Sequence, residues 1–295
     1  MRLKESESTA DQAQIRIFDE MMRDIRSEAG PPRCLDCLDL GILYYRDEAR
    51  SAGFGLCHCQ QAISRCDGRP PFEYYDEKQK AMVPCPSRPA RIALKRVLLL
   101  ESRSGIPSRF RGKFLDDINQ SDPYNPSLSL AVGRASSTVV QFGQKSAPGL
   151  YLWGGTGCGK TLTSCAVLNE LLRIRHSEVR YAKISRDILG KLRASFNPNS
   201  EIYGEGKAIE EELATVPALV IDDFGVHRET AWVNQVLYDL IDARYEHGLL
   251  TIITSNEPME SWREISGGRI YSRLRQMTTE IEIDAPDYRL RTQGR

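Results

Sequence analysis

The stretch Gly154-Gly155-Thr156-Gly157-Cys158-Gly159-Lys160-Thr161 has the residue types and spacing needed to hold a polyphosphate. It matches G-x-x-x-x-G-K-[ST] and lies between an apolar run, Leu150 to Trp153, and a segment with helical patterning. Glycines at these spacings let the backbone curl until successive N–H groups converge on phosphate oxygens at a helix N-terminus. Lys160 is placed to contact the β- and γ-phosphates, and the Thr161 hydroxyl to ligate Mg²⁺. Cys158 reads as the small residue this loop tolerates at that position. The implied ligands are ATP or ADP with Mg²⁺.

About sixty residues on, "PALVIDDFG" is an apolar run ending in two acids. Asp222 is placed to hold Mg²⁺ and Asp223 to polarise an attacking water. A third apolar run, "LLTIITSN", ends at Asn256, a polar group able to orient that water. Three buried strands, each with a polar residue at its carboxyl end, imply a parallel αβα sheet with the site along that edge.

A second chemistry is written in cysteines. Cys34 and Cys37 form a C-x2-C pair, and Cys57 and Cys59 a C-x-C pair nineteen residues further on. Two short pairs of soft ligands are what a tetrahedral structural Zn²⁺ requires. The glycines at 41, 53 and 55 are expected in the turns between them. His58 and Cys66 are the alternatives for the fourth position.

These residues must be carried by a chain of 295 residues with 40 basic and 40 acidic side chains, so no global charge points to a polyanionic partner. No apolar run is long enough to span a membrane, and "MRLKESESTADQ" lacks the apolar centre of a secretion signal, which leads us to expect a cytosolic protein without a membrane partner. Six of the eight cysteines fall in the first third, the first sign of two parts. Residues 12 to 28 read as an amphipathic helix with Ile15, Phe18, Met22 and Ile25 on one stripe and Met21 beside it. That stripe either packs on its own chain or enters a groove on a partner. Residues 67 to 90, rich in proline, read as a linker or irregular arm. A short helix in "RIALKRVLLLES" and another at roughly 125 to 143 precede the phosphate loop.

Taken in order, "SGIPSRF", "GGTGCGKT", "LVIDDFG", "LYDLIDARYEHGLLTIITSN" and "GGRIYSRL" resemble the AAA+ ATPases of the DnaC/DnaI helicase-loader and IstB-like group, over roughly residues 100 to 291. The resemblance implies an AAA+ P-loop αβα core from about 96 to 295, preceded by a helical and zinc-binding recruitment region over 1 to 95. The 39 residues after Asn256 are expected to be too few for the usual C-terminal lid. Arg269 is then the implied arginine finger, entering the nucleotide site of an adjacent subunit, with Arg273 supporting it; the alternative is ordinary ion pairing with Glu264 or Asp284. Arg244 is another candidate for phosphate or interface contact. By the same resemblance, the region holding Lys183, Lys191, Arg193 and Phe196 faces single-stranded DNA.

The implied activity is loading a hexameric replicative helicase onto single-stranded DNA, with self-association through the ATP site. A transposition helper that binds duplex DNA and recruits a transposase would show the same core motifs. A nucleotide-holding adaptor that does not hydrolyse is a third reading, kept open by Asp223 standing where many such enzymes have glutamate. A small-molecule P-loop kinase would need a substrate lid that this chain does not supply.

Overall fold

The computed structural model describes residues 17–26, 31–46, 52–120, 125–144, 148–225 and 230–288. In chain order its N-terminal elements are α1 (Ile17–Ile25), β1 (Ile42–Tyr45), β2 (Gly53–Leu56), α2 (His58–Ala62), β3 (Glu73–Asp76), β4 (Ala81–Pro84) and α3 (Arg88–Arg103). They are followed by α4 (Pro126–Gln141), β5 (Gly149–Trp153), α5 (Lys160–Glu170), β6 (Val179–Lys183), α6 (Leu189–Ser195) and α7 (Gly206–Thr215). The chain continues through β7 (Ala218–Phe224), α8 (Ala231–Glu246), β8 (Leu250–Ser255), α9 (Arg269–Met277) and β9 (Thr278–Glu282).

Among the described residues, β5 to β9 form one parallel sheet in the order β6-β7-β8-β5-β9. Its inner strands β5, β7 and β8 are buried on both faces and therefore read as continuous apolar runs rather than as alternation, whereas the edge strands β6 and β9 are only partly buried. The alternation exists but is hidden. Leu150, Leu152, Val179, Val220 and Ile252 face one layer, with α1, α3, α4 and α5. Tyr151, Leu219, Ile221 and Ile253 face the other, with α6 to α9.

Helix α1 retains the expected stripe: Phe18, Met21 and Met22 are buried. Ile15 lies outside the described residues. The stripe packs on its own chain, not in a partner's groove. The Phe18 ring lies 3.7 Å from the Arg173 guanidinium, which also stacks on Phe114 at 4.1 Å and is ion-paired with the buried Glu170. Arg26, just past α1, donates to the Leu38 carbonyl at 2.5 Å and pairs with Asp39 at 3.1 Å, tying the helix to the cysteine-bearing turn.

Two expectations are corrected. Residues 67 to 90 are not an irregular arm: β3 and β4 form a hairpin with Tyr74 opposite Val83. The Asp76 carboxylate closes its turn by accepting from the N–H groups of Lys78 and Gln79. Most of this hairpin is exposed, so no hydrophobic period announced it. Gly53 and Gly55 lie within β2 rather than in a turn, and Gly55 leaves room for the Tyr45 ring. The helix expected in "RIALKRVLLLES" is sixteen residues long and runs through residue 95, where sequence reading set the boundary between parts.

Candidate nucleotide and metal sites

Strand β5 ends at Trp153 and α5 begins at Lys160, so the phosphate loop spans the turn from sheet to helix N-terminus, as its sequence requires. The loop is braced from both sides. Asn125 Nδ2 donates to the Cys158 carbonyl at 3.0 Å, and the Tyr288 N–H donates to the Gly157 carbonyl at 3.2 Å. Gly157 has φ +76°, and any β-carbon there would collide with the Asp287 carboxylate, so glycine is required on both counts. Lys160 is almost fully buried and donates to the carbonyls of Gly154 and Gly155, each at 2.7 Å. Its ammonium thus lies inside the curl where phosphates would be cradled. The Cys158 sulfur is buried 3.7 Å from the same ammonium.

At the sheet edge, Asp222 is buried and held by three hydroxyl groups. Thr161 Oγ1 donates to Oδ1 at 2.9 Å, Thr254 Oγ1 to the same oxygen at 2.7 Å, and the Tyr181 hydroxyl to Oδ2 at 2.6 Å. Burial and the neighbouring Asp222 charge push the Tyr181 hydroxyl far above its ordinary value, so it stays a donor. Thr161 beside Asp222 is a pair of oxygen ligands suited to Mg²⁺. The register between β7 and β8 slips between Ile221 and Phe224, and Asp223 there takes φ +59°. This bulge turns the second acid out of the alternation. Its N–H donates to Thr254 Oγ1 at 3.1 Å and its carboxylate pairs with Lys183 Nζ at 2.5 Å. Lys183, expected to face nucleic acid, is engaged here instead. Asn256 lies one residue beyond β8 and is exposed.

Sequence reading missed Tyr181 and Thr254 and gave Lys183 a different role. Each sits inside or at the end of an apolar strand, and only the parallel register of β6, β7 and β8 makes them neighbours of the acids.

In the N-terminal part, β1 pairs antiparallel with β2, with Ile42 opposite Leu56. Cys34 and Cys37 precede β1 and Cys57 and Cys59 follow β2, so the hairpin brings both pairs to one end. All four sulfurs lie within 4.8 Å of one another, with Cys34–Cys57 and Cys37–Cys59 both at 3.7 Å. Four thiolates about 2.3 Å from a tetrahedral zinc stand about 3.8 Å apart, so the cluster fits the ion. The Cys37 N–H, with that of Asp36, draws the Cys34 thiol down to about 7, while burial pushes Cys57 up to about 11 and Cys37 further. Cys66 lies elsewhere, beside Ser64, which in turn contacts Cys85. His58 pairs with Asp36 at 3.1 Å on the exposed side, its Nδ1 3.6 Å from the Cys57 sulfur.

Arg269 and Arg273 lie on α9, as their spacing implied, and stack on Tyr238 and Tyr245 of α8 at 4.5 and 4.4 Å. Arg273 pairs with Asp242 at 2.6 Å rather than with Glu264 or Asp284. Arg269 is exposed. Arg244 is corrected outright: it is fully buried and donates to the carbonyls of Leu213, Val216 and Leu250 and to Thr251 Oγ1. It staples α7, α8 and β8 together and has no path to a phosphate. Of the region assigned to nucleic acid, Phe196 is 70% exposed and Arg193 stacks on Trp232 at 5.3 Å.

A phosphate loop on the second strand from one edge of a parallel sheet, facing paired acids two strands away, defines an AAA+ P-loop core. The IstB-like ATP binding protein family matches residues 138–295, and the chain belongs to that ATP-binding family. It is 32% identical over 147 residues to an insertion-sequence ATP-binding protein of Mycobacterium tuberculosis, 48% of this chain and 56% of that one. It is 23% identical over 236 residues to the replicative helicase loader DnaI of Bacillus subtilis, 74% of this chain and 69% of that one. The solved DnaC helicase loader superposes on 60% of the chain, and 99% of its own, at TM-score 0.51 and 21% identity. The first of these relatives is thus matched over little more than half its length, and the likeness to the solved loader is one of fold. Among the described residues no helix is long and apolar enough to cross a membrane.

Proposed function

We propose that this chain is an ATP-dependent helicase loader that binds a hexameric replicative helicase and places it on single-stranded DNA in the cytoplasm. The observation that carries this reading is the cysteine module in front of the ATPase. The match to DnaI covers 74% of the chain, more than the 200 of 295 residues from 96 onward, so it extends into the region ahead of residue 96. Residues 1–95 then act as the recruitment region, with Zn²⁺ on Cys34, Cys37, Cys57 and Cys59, and 96–295 as the ATPase. The insertion-sequence relative, more identical over a shorter stretch, supports the second reading, a transposition helper on duplex DNA.

In the mechanism, ATP enters the loop at Gly154–Thr161, and Lys160 leaves the loop carbonyls for the β- and γ-phosphates. Thr161, and Asp222 through water, would hold Mg²⁺, which would supply neutralisation of phosphate charge. Asp223 polarises the attacking water, with Asn256 beside it. The Lys183 ion pair on Asp223 makes the isolated chain a slow ATPase, suited to a switch between states. Arg269, exposed on α9, reaches the γ-phosphate of an adjacent subunit, and Arg273, fixed on Asp242, orients α9.

Two measurements test this. Mixed with the replicative helicase of its own organism and ATP·Mg²⁺, the chain should form a complex of defined mass that deposits helicase on circular single-stranded DNA. No complex with either ATP or ADP would shift the assignment to the transposition helper. Arg269→Ala should lower assembly-stimulated hydrolysis on the order of 10³-fold with nucleotide affinity unchanged. A variant that hydrolyses at the wild-type rate while assembling removes the finger assignment.

A further inference from the structure

The segment "SGIP" at 104 to 107 has no place in the mechanism above, yet it touches the residue that holds the metal-side acid. We propose that Tyr181 is a positioning residue for the Mg²⁺-binding carboxylate of Asp222, and that Ser104–Gly105 is the clasp that fixes it. This rests on the nucleotide and Mg²⁺ reading of the same site.

The argument begins with Asp222 itself. Thr161 and Thr254 both donate to Oδ1, the oxygen that faces the phosphate loop. Tyr181 supplies the hydrogen bond to Oδ2, at 2.6 Å from within the sheet. A carboxylate tethered at both oxygens cannot rotate about its Cβ–Cγ bond. It therefore presents one fixed edge to an ion that demands near-ideal octahedral geometry. With Oδ2 released, the carboxylate can turn, and Oδ1 leaves the position opposite Thr161.

Tyr181 comes from β6, the edge strand, which has β7 on one side only. On its outer side the Tyr181 N–H donates to the Ser104 carbonyl at 2.7 Å. Gly105, at φ +71°, lies against the Tyr181 carbonyl, and a β-carbon there would come within 2.7 Å of that oxygen. Ser104 is itself fully buried, with its hydroxyl donating to the Glu101 carbonyl at 2.7 Å and accepting from the Ile106 N–H at 3.2 Å. The end of α3 is thus locked and its lock is pressed onto the tyrosine peptide. Chain entry into the ATPase core and the metal-side carboxylate are joined through one residue.

The test uses the full chain with a fluorescent non-hydrolysable ATP analogue and a titration of MgCl₂. Tyr181→Phe keeps the ring and removes only the hydroxyl. It should raise the Mg²⁺ concentration at half-saturation about tenfold or more, the usual effect of losing an outer-shell partner. Analogue affinity in EDTA should equal that of the wild type, and the paramagnetic signal of bound Mn²⁺ should show the same weakening. Gly105→Ala, remote from the ion, should shift Mg²⁺ half-saturation in the same direction, and it decides the matter alone should the tyrosine variant not fold. Wild-type Mg²⁺ dependence in a folded Tyr181→Phe chain would overturn the proposal. A wild-type chain whose analogue affinity ignores Mg²⁺ altogether would instead overturn the nucleotide–metal reading, and this inference with it.

Discussion

Removing the metal from the Cys34–Cys37–Cys57–Cys59 site should unfold the β1–β2 module, and with it loosen α1. A two-stranded hairpin has little stability in water by itself. Among the described residues the sulfur cluster has only Leu43 packed beside it, while Leu38 and Ile42 at the same end belong to the main core. Structural zinc supplies on the order of 10 kcal/mol or more in modules of this size, far more than those contacts. The opposite face of the hairpin joins the main hydrophobic core: Tyr44 and Phe54 stack edge-on with Phe114 at 5.4 and 6.5 Å. Arg26 reaches from beyond α1 to Leu38 and Asp39 in the cysteine turn. Loss of the ion therefore does not stop at the turn. Cys37→Ser should purify with less than one zinc per chain, lose amide protection over 34–46, 52–59 and α1, and melt several degrees lower. Cys66→Ser should do none of these, because that sulfur sits with Ser64, outside the cluster. A wild-type chain that takes up no zinc after reduction, and melts alike with and without a chelator, would refute the metal assignment.

The second large effect concerns Lys160 and has two opposite parts. Lys160→Met keeps most of the aliphatic stem and removes the ammonium. A charge-assisted contact to phosphate in a buried loop contributes about 2–3 kcal/mol, so ATP affinity should fall roughly 30- to 150-fold. Stability without nucleotide should move by less than about 1 kcal/mol, and upward movement is the more natural sign. In the ligand-free chain the buried ammonium faces two carbonyls, Gly154 and Gly155, rather than a carboxylate. That is thin compensation for its lost hydration. Calorimetric titration with ATP and a thermal melt on the same sample would check both parts. A Lys160→Met chain that binds ATP as the wild type does would mean that the loop is not the nucleotide site. A large drop in its melting temperature would mean that the two carbonyl contacts are structural rather than a resting position.

The sequence alone determined the phosphate loop, the paired acids, the cysteine pairs and the run of buried strands. Each of these is local: a backbone curl, a strand end or a short chelate needs fixed residue types at fixed spacing, and the chain cannot hide them. The β3–β4 hairpin was not legible, since an exposed hairpin carries no hydrophobic period and is marked only by a turn such as that at Asp76. Arg244 shows the limit most plainly. As a letter it could have served a phosphate, and only the closure of α7, α8 and β8 around it turned its guanidinium inward onto three carbonyls and a hydroxyl. The same holds for the surroundings of the acids. Tyr181, Lys183 and Thr254 meet Asp222 and Asp223 across strands that are far apart in the chain, and a one-residue change in register would have sent them to the other face. Residue types and spacing specify which groups can do chemistry; the parallel register of β6, β7 and β8 decided which hydroxyls and which cation those groups meet.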